Sequence, residues 1–292
     1  MINMSTGERL EFFDFSDVTV EHLHRYAIAN DFVLDKVVLD IASGEGYGSY
    51  ILSENALEVI GVDIDVETIE NAKRKYSKNN LKFLVGSADK IPIQSNSIDV
   101  VVSFETLEHH DKHEEMLSEI KRVLKPDGVL IMSSPDKKYY SDLTGQVNPF
   151  HVKELYFNEF EKLINKYFGY TKYYFQSSFN LNSFIASREK FSNHTVYSGD
   201  ETYLNKDRFN PVYNLVIASD LKSFLIEKSF FDGSAISNRI IERVKGNLIN
   251  ELNNSLVEKI KSTTTFKLGS LIIYPFFILK KYLKRIVGVY EK

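Results

Sequence analysis

A glycine-rich run directly after a buried apolar segment has the composition of a ligand-binding loop. Residues 37–48 read VVLDIASGEGYG, so an aspartate is followed by three glycines spaced two residues apart. Glycine lets the backbone turn tightly and approach a ligand closely, because it carries no Cβ. Loops that bind dinucleotides have the spacing G-x-G-x-x-G, with the pyrophosphate at a helix N-terminus. The third glycine comes one residue early here, which favours a compact ligand with an amino acid end and no phosphate.

A second acidic residue, Asp63, ends the next apolar run and lies 19 positions after Gly44. Together the loop and this aspartate resemble the cofactor-binding motifs of the class I methyltransferases that depend on S-adenosylmethionine (SAM). The resemblance implies that the loop passes under the methionine part of SAM. It also implies that Asp63 accepts hydrogen bonds from the ribose hydroxyls, and a charged acceptor strengthens such bonds. A Rossmann-like turn that binds a different ligand stays an alternative.

The same resemblance places adenine after the third apolar run, where a backbone amide reads the ring edge and a side chain takes the exocyclic amine. Many family members have aspartate at the position of Ser87, so Ser87 and Asp89 are alternative partners of the amine. We favour Asp89, with Ala88 supplying the backbone contact. The predicted cofactor residues of these segments are Asp40, Ala42, Ser43, Gly44, Gly46, Gly48, Asp63, Ile64, Ser87, Ala88 and Asp89.

The richest cluster of reactive side chains follows the fourth apolar run. The segment that starts at Ser103 reads SFETLEHH and resembles the segment after the fourth strand in methyltransferases of small-molecule hydroxyls and amines. The resemblance places Ser103 and Phe104 at the methionine end of SAM. His109 is the predicted general base, because an unperturbed imidazole pKa of ~6.5 suits proton transfer near neutral pH. Glu105 and Glu108 are expected to orient His109 or to bind substrate hydroxyls.

Two alternatives stay open for this cluster. In the first, Glu108 caps the next helix and His109 only packs. In the second, the pattern Glu105-x-x-Glu108-His109 holds a divalent metal, as the same positions do in a subgroup of quinone-precursor O-methyltransferases that the pattern also resembles. We do not predict a metal here.

Segments on either side of these motifs supply further candidates. Upstream, Arg25 is expected to pair with the methionine carboxylate and Tyr26 to cover the ligand, unless their helix is an ordinary amphipathic one. Downstream, residues 134–154 are polar and aromatic without a core periodicity, which is typical of substrate-binding loops. His151 in this loop is a second candidate base. The predicted substrate contacts are Tyr139, Tyr140, Asn148, Phe150 and Lys153.

Alternating strand and helix signals predict the elements that position these groups. We expect an α/β, Rossmann-like methyltransferase fold with a mostly parallel seven-stranded sheet, helices on both faces and a C-terminal helical extension. Ligands bind at the carboxyl ends of the strands in such sheets. The predicted strands are 36–41, 58–63, 81–85, 98–103, 128–133, 170–176 and 214–218. The predicted helices are 49–54, 66–78, 112–124, 153–166 and 234–261, and residues 125–128 are predicted to form a turn.

We divide the chain into an N-terminal helical cap (1–35), a SAM-binding domain (36–220) and a helical extension with a basic amphipathic tail (221–292). Residues 177–211 are an insertion in the domain and a candidate lid. The tail contains an apolar run of 12 residues, 268–279, which is shorter than the ~20 needed to cross a bilayer. We expect it either to pack on the domain or to contact a membrane surface or a glycan enzyme. Its resemblance to the tails of bacterial surface-glycan assembly enzymes favours the contact with a membrane.

The composition excludes several classes of function. The formal net charge of −4 over 292 residues provides no basic field for nucleic acid. The absence of cysteine excludes disulfides, thiolate nucleophiles and cysteine-ligated zinc, and it fits a reducing compartment. The N-terminus lacks the basic-then-apolar pattern of a signal peptide. We expect a cytoplasmic protein, with peripheral contact at the inner face of the membrane as an option; the sequence predicts no oligomeric state.

The expected reaction is methyl transfer from SAM to a hydroxyl, with S-adenosylhomocysteine (SAH) as product. The pattern S-P…N-P-F-H-x-K-E after the fifth strand resembles methyltransferases encoded among sugar nucleotide and polysaccharide genes. This implies a sugar nucleotide or glycan acceptor in surface polysaccharide biosynthesis. Alternatives are N-methylation of an amino sugar, phosphate or phosphoramidate O-methylation with Lys137, Lys138 and Lys153 as cations, and a non-catalytic SAM-binding scaffold. The glycine spacing disfavours an NAD-dependent oxidoreductase.

Overall fold

The structure, a computed structural model, describes residues 17–192, 195–208, 210–221, 224–226, 228–264 and 266–267. The chain divides into two compact units, Met1–Ala235 and Ile236–Lys292, which are described separately. The first sixteen residues of the predicted cap and the apolar part of the predicted tail, 268–279, lie outside the described residues.

The first unit is built on a nine-stranded mixed sheet with the order β11-β7-β6-β10-β5-β4-β1-β2-β3. Its strands are β1 Val37–Ile41, β2 Glu58–Asp63, β3 Leu81–Val85, β4 Ile98–Ser103, β5 Leu124–Pro135, β6 Tyr170–Phe179, β7 Asn182–Ser187, β10 Tyr213–Ser219 and β11 Ser229–Phe231. A separate hairpin is formed by β8 Thr195–Gly199 and β9 Leu204–Arg208.

The described part of this unit contains six α-helices: α1 Asp17–Asn30, α2 Tyr47–Leu52, α3 Val66–Lys75, α4 His113–Val123, α5 Phe157–Asn165 and α6 Arg188–Ser192. A 3₁₀ turn, Leu107–His109, and a π-helical turn, Lys138–Asp142, lie in the loops after β4 and β5. Helix α7, Ser234–Ser262, makes up most of what is described of the second unit.

The five strands β3-β2-β1-β4-β5 run parallel and form the central part of the sheet. Strands β1, β2 and β4 are mostly buried on both faces, as parallel strands covered by helices require, and therefore read as nearly continuous apolar runs. The edge strand β3 alternates, with Leu81 and Phe83 buried and Lys82 and Leu84 exposed. Alternate residues of each strand point to two separate cores. Val38 and Val100 belong to one, and Leu39 and Val101 to the other. This pattern is why the strand predictions agree closely with the structure.

The prediction of seven strands is wrong, because two further strands extend the sheet. Strand β7, which comes from the predicted insertion, pairs antiparallel with β6, and β11 pairs antiparallel with β7. The connection from β6 to β7 is Asn180-Leu181, with φ angles of 48° and 60°, the two positive values of a two-residue hairpin turn. The insertion therefore begins by continuing the sheet, and β10 is antiparallel to both of its neighbours.

The predicted turn at residues 125–128 lies inside strand β5. Ile98 pairs with Leu124 and Val100 pairs with Val129, so β5 advances by five residues while β4 advances by two. The extra residues form a bulge, which bends a strand without ending it. Strand β5 thus starts before the predicted Gly128.

Candidate active site

A cleft of about 760 Å³ lies at the carboxyl ends of the parallel strands, the edge at which open α/β sheets bind ligands. It is lined by the loops after β1 to β4, the start of α1, the loop after β5 and the start of β10. The predicted residues that line it are Tyr26, Ala42, Ser43, Gly44, Asp63, Ile64, Ser87, Ala88, Asp89, Phe104, Glu105, Glu108, His109, Tyr140, Phe150 and His151. Among the described residues of the predicted insertion, none lines this cleft.

The other predicted residues do not line the cleft: Arg25, Asp40, Gly46, Gly48, Ser103, Tyr139, Asn148 and Lys153. Two of the glycines are needed for packing. A Cβ on Gly48 would lie 1.9 Å from the ring of Tyr26, and one on Gly46 would lie 2.7 Å from the ring of Phe83. Gly46 also has a φ of +81°, which residues with a side chain rarely adopt. The glycine loop is therefore pressed against its own domain on one side and opens to the cleft at Gly44.

Asp63 links the end of β2 to this loop. Its Oδ2 accepts a hydrogen bond from the Gly44 amide at 3.0 Å, and its Oδ1 accepts one from the Asp65 amide at 3.0 Å. Asp63 also lines the cleft, and a carboxylate oxygen can accept more than one hydrogen bond. The geometry therefore suits an acceptor of two neighbouring hydroxyls.

Asp40, in contrast, lies behind the loop and is 1% exposed. It accepts hydrogen bonds from the Ser49 hydroxyl at 2.6 Å and from the Tyr26 hydroxyl at 3.3 Å. Burial raises the pKa of Asp40 to about 7, against the lowering effect of these two bonds. Asp40 thus positions α1, α2 and the glycine loop between β1 and α2. It does not line the cleft as predicted.

At the next part of the cleft, Asp89 accepts hydrogen bonds from the Ser87 hydroxyl and, at 2.5 Å, from Lys112. The bond from Lys112, followed by that from Ser87, lowers the pKa of Asp89 to about 2. The carboxylate is therefore ionised and remains an acceptor. Ile64, which is 70% exposed, adds an apolar surface. Sequence reasoning missed Lys112, because no fixed spacing marks its pairing with Asp89.

Arg25 is fully buried and lies off the cleft, which corrects its predicted contact with the methionine carboxylate. Its Nη1 lies 2.7 Å from Glu105 Oε1, and its Nε donates to Gln176 Oε1 at 2.7 Å. A buried guanidinium requires a counter-charge, and Glu105 supplies it. Tyr26 does line the cleft, edge-on to Phe104 at 5.0 Å between ring centroids. Ser103 is fully buried in β4.

The two predicted bases come together from separate loops. The rings of His109 and His151 are 5.2 Å apart, because the amides of Val152 and Lys153 donate to the Glu108 carbonyl at 2.8 and 3.0 Å. His109 Nδ1 lies 3.1 Å from the Phe150 carbonyl, and His151 Nδ1 lies 2.6 Å from Glu154 Oε1. Both oxygens only accept, so each neutral ring carries its proton on Nδ1 and has its basic nitrogen at Nε2.

Glu108 lies beneath these histidines and is 1% exposed. Burial, and next the charge of Glu105, raise the pKa of Glu108 well above its usual value. Its carboxyl is therefore harder to ionise than an exposed one. It does not cap the following helix, since the N-cap residue of α4 is Lys112.

The acid and the two histidines also have the composition of a metal site. Ligand atoms of Glu108, His109 and His151 all lie within 4.8 Å of one another, and Glu108 Oε1 is 4.0 Å from His109 Nε2. This buried Oε1 has no hydrogen-bond partner in the described part of the chain. Two imidazoles and a carboxylate suit several divalent transition metals. Glu105 is not part of this set, because it pairs with Arg25.

At the outer end of the cleft, Tyr140 stacks on His151 at 5.2 Å, and Phe150 is 47% exposed. Asn148 lies behind them, with its amide nitrogen 3.5 Å from the Tyr140 hydroxyl. Tyr213, at the start of β10, also lines this end. Sequence reasoning missed Tyr213 because no motif surrounds it and only the strand order brings it here.

The lysines predicted to serve a phosphate acceptor point elsewhere. Lys137 lies over the ring of Tyr156 and Lys138 over that of Tyr139. Neither they nor Lys153 line the cleft.

Residues 39–132 match the sequence profile of a methyltransferase domain family. Over 128 residues the chain is 34% identical to a probable SAM-dependent methyltransferase of Mycolicibacterium smegmatis, covering 44% of this chain and 49% of that protein. Over 141 residues it is 32% identical to the demethylmenaquinone methyltransferase of Lactococcus lactis, covering 45% of this chain and 52% of that protein. The chain thus spans about half the length of these curated relatives.

Among solved structures, the YcgJ protein of Bacillus subtilis superposes with a TM-score of 0.51 at 17% identity, covering 69% of this chain and all of that one. At this identity the likeness concerns the fold alone. The family profile spans the glycine loop, the strands around it and the segment after β4. Residues 39–132 therefore match a methyltransferase domain family, and the sequence relatives indicate SAM as the cofactor and SAH as the product.

Proposed function

We propose that the protein transfers the methyl group of SAM to a hydroxyl of a small molecule, a sugar or a sugar-linked group. The observation that supports this proposal most strongly is the set of residues that line the cleft. One end joins Asp63 to the Gly44 amide, and the other end holds the rings of His109 and His151 side by side. The groups that would bind a nucleoside and a pair of basic nitrogens thus line one cleft.

For the cofactor, the chain supplies hydrogen-bond acceptors and apolar walls. Asp63 would accept from the ribose hydroxyls, and Ser87 to Asp89 would frame adenine. Tyr26 and Phe104 would cover the methionine end, where exclusion of water and alignment of the reactants lower the barrier. When bound, SAM supplies a methyl group on a positively charged sulfur, which is a good leaving group.

The proton of the acceptor hydroxyl is assigned to His109 Nε2. The Phe150 carbonyl holds the Nδ1 proton, so Nε2 is the nitrogen that receives the hydroxyl proton as the oxygen–carbon bond forms. His151, oriented by Glu154, is the alternative base. A positioned base of this kind accelerates a reaction by roughly 10²–10⁴.

The residues that line the cleft favour some of the other candidate functions and disfavour others. A phosphate or phosphoramidate acceptor is disfavoured, since the one lysine of the described cleft lining, Lys112, binds Asp89. N-methylation of an amino sugar fits the acidic lining and needs the histidine base less. A quinone-like acceptor is suggested by the demethylmenaquinone methyltransferase relative and by the rings of Tyr140 and Phe150. A SAM-binding scaffold would bind SAM without turnover.

The test is a screen for methylated products with SAM as donor. Monosaccharides, sugar nucleotides, amino sugars and demethylmenaquinone are each incubated with the full chain, and products are identified by mass spectrometry. A methylated sugar hydroxyl is the expected result. Methylation of a nitrogen, or of the quinone alone, contradicts the proposed acceptor, and SAM binding without turnover of any acceptor favours the scaffold.

A metal bound by Glu108, His109 and His151 is a second proposal for the same residues. It would act on the acceptor oxygen by lowering the pKa of its hydroxyl. Dialysis against a chelator followed by metal analysis and re-addition of Mg²⁺, Mn²⁺ or Zn²⁺ tests it. The metal is expected to bind the wild type and not the Glu108→Gln variant. Failure of every metal to bind leaves the histidines as bases only.

A further inference from the structure

A buried ion pair stands directly behind the acceptor end of the cleft. Arg25 is 0% exposed and its Nη1 lies 2.7 Å from Glu105 Oε1. The same Glu105 oxygen accepts from the Ser133 hydroxyl at 2.6 Å, and Ser133 in turn accepts from Arg25 Nη1 at 3.0 Å. The ring of Tyr213 covers the guanidinium at 4.6 Å. Glu105 is thus held by a closed triangle of polar groups.

This triangle is anchored by a polar network that crosses the sheet. Gln176 in β6 accepts from Arg25 Nε and donates to the Ser183 hydroxyl in β7 at 2.8 Å. His24 in α1 bonds to Ser183 at 2.9 Å and to Ser229 in β11 at 2.8 Å. The two strands that were not predicted therefore supply supports for Arg25, and the network fixes the guanidinium from the side opposite to the cleft.

Glu105 lines the cleft, and 16% of its side chain is exposed. Its backbone has a φ of +50°, a value that costs energy for any residue other than glycine and persists only where surroundings enforce it. Both protein contacts of its carboxylate are to Oε1, and Glu105 lines the cleft. Oε2 is therefore the oxygen that can accept a hydrogen bond from a bound molecule.

The described lining of the cleft offers no unpaired lysine or arginine to an anionic acceptor. Within it, Lys112 is the one lysine or arginine, and it pairs with Asp89. The counter-charge of Glu105, Arg25, is fully buried and lies off the cleft. A phosphate at this end of the cleft would therefore meet the carboxylate of Glu105 before any cation, and unfavourable placement of like charges is a common basis for excluding a wrong ligand.

We propose that Glu105 is the specificity-determining residue for the acceptor, and that Arg25 is its positioning residue. The carboxylate selects a molecule that offers a hydroxyl or an ammonium group and rejects one that carries a phosphate. This inference rests on the proposed function, since it assigns the acceptor to the end of the cleft that SAM leaves open. It excludes a sugar nucleotide whose phosphates enter the cleft. It favours a sugar that carries no phosphate near the atom to be methylated.

The test measures binding of three small probes to the SAH-loaded protein by saturation-transfer NMR. The probes are glucosamine, glucose and glucose 1-phosphate. Wild-type protein is expected to bind glucosamine and glucose more tightly than glucose 1-phosphate. In Glu105→Gln the affinity for glucosamine falls roughly tenfold, and the phosphate is no longer disfavoured. The control Glu115→Gln, at an exposed position of α4, leaves all three affinities unchanged.

Substitutions of Arg25 and Ser133, which hold Glu105 in place, distinguish a positioning role from a general loss of structure. Glucosamine binding is followed from about pH 4 to pH 6.5, where its amine stays protonated. The groups that face Glu105 are Arg25 and Glu21 of α1, Glu108 of the 3₁₀ turn, and Tyr213 of β10. In Arg25→Met the pH of half-maximal glucosamine binding rises, because the carboxylate of Glu105 has lost its cation. In Arg25→Lys this pH returns towards the wild-type value. Ser133→Ala, which buries no charge, shifts it in the same direction by less.

The outcomes are separable. Failure of SAH to bind contradicts the proposed function itself. If SAH binds, three results overturn the inference alone: glucose 1-phosphate binds as tightly as glucosamine, glucosamine does not bind, or neither Arg25→Met nor Ser133→Ala moves the pH midpoint.

Discussion

Two histidines from distant segments compete for the role of base, and their hydrogen bonds give both the same tautomer. We assign the proton to His109, which is the more exposed of the two at 34% of its side chain against 8% for His151. With the acceptor from the product screen, His109→Ala is expected to lower kcat by about 10²–10⁴ while the Kd for SAH stays unchanged. An intact rate in this variant together with a lost rate in His151→Ala would transfer the role to His151.

Asp63 is expected to contribute cofactor affinity without taking part in proton transfer. Loss of hydrogen bonds to a charged acceptor costs about 1.5–3 kcal/mol, so Asp63→Ala should weaken SAH binding about 10- to 150-fold. Calorimetry measures this directly, and Glu67→Ala serves as a comparison because this exposed residue of α3 does not line the cleft. A dissociation constant equal to that of the wild type would remove Asp63 from the site.

Asp40 is expected to make stability depend on pH. Its folded-state pKa of about 7 exceeds the usual value of 3.8, so the folded protein binds a proton that the unfolded chain releases between these values. The stability contributed by Asp40 therefore falls as the pH rises from about 4 to about 7. Thermal unfolding of the wild type and of Asp40→Asn should show a difference that changes across this window by several degrees. Parallel curves contradict the raised pKa.

Sequence reasoning found the residues that a contiguous motif contains and missed the partners that folding supplies. Gly44 and Asp63 were predicted from one loop and one strand end, and the structure joins them through a hydrogen bond. The role of Arg25 was misassigned, because its partner Glu105 is 80 positions away and no local pattern marks the pair. The meeting of His109 with His151 likewise depends on loop-to-loop backbone bonds.

At the scale of the elements, the closeness of α1 to α2 depends on a residue without a side chain. A Cβ at Gly48 would lie 1.9 Å from the ring of Tyr26, so Gly48→Ala forces α1 away from the glycine loop. Overpacking of this kind costs about 1–3 kcal/mol. We expect a melting temperature lower by several degrees and weaker SAH binding. The matched control is Gly246→Ala in α7, where nothing lies within 4 Å of the added Cβ; equal behaviour of the two variants contradicts the packing role.

The strands of the sheet were predictable to different degrees for a physical reason. Strands β1, β2 and β4 are mostly buried on both faces and flanked by loops, so their apolar runs mark their bounds. The edge strand β3 buries alternate residues only. Strand β7 has polar residues at both ends, Asn182 and Ser187, and is specified by the turn before it and by pairing with β6. Strand β11 has three residues, too few for any periodicity. Edge strands that depend on a neighbour are therefore the part that local patterns could not predict.

At the scale of the whole molecule, none of the described helices is both long and apolar enough to span a bilayer. Helix α7 nevertheless exposes apolar side chains such as Leu248, Leu252 and Leu256, and the sequence continues into the apolar and basic tail. We propose that residues 265–292 attach the protein to a membrane surface. Their removal should abolish co-sedimentation with vesicles containing anionic lipid and leave SAH affinity unchanged. Equal sedimentation of both forms contradicts the attachment, and loss of SAH binding assigns the tail to the fold.

The proposed function requires that SAM occupies the cleft between the glycine loop and the paired histidines. A crystal structure of the protein with SAH tests this most directly. We predict the ribose hydroxyls at Asp63, the adenine between Ile64 and the segment from Ser87 to Asp89, and the amino acid end beside Gly44 and Phe104. Density for SAH at any other place, or a cleft that stays empty at saturating SAH, contradicts the account.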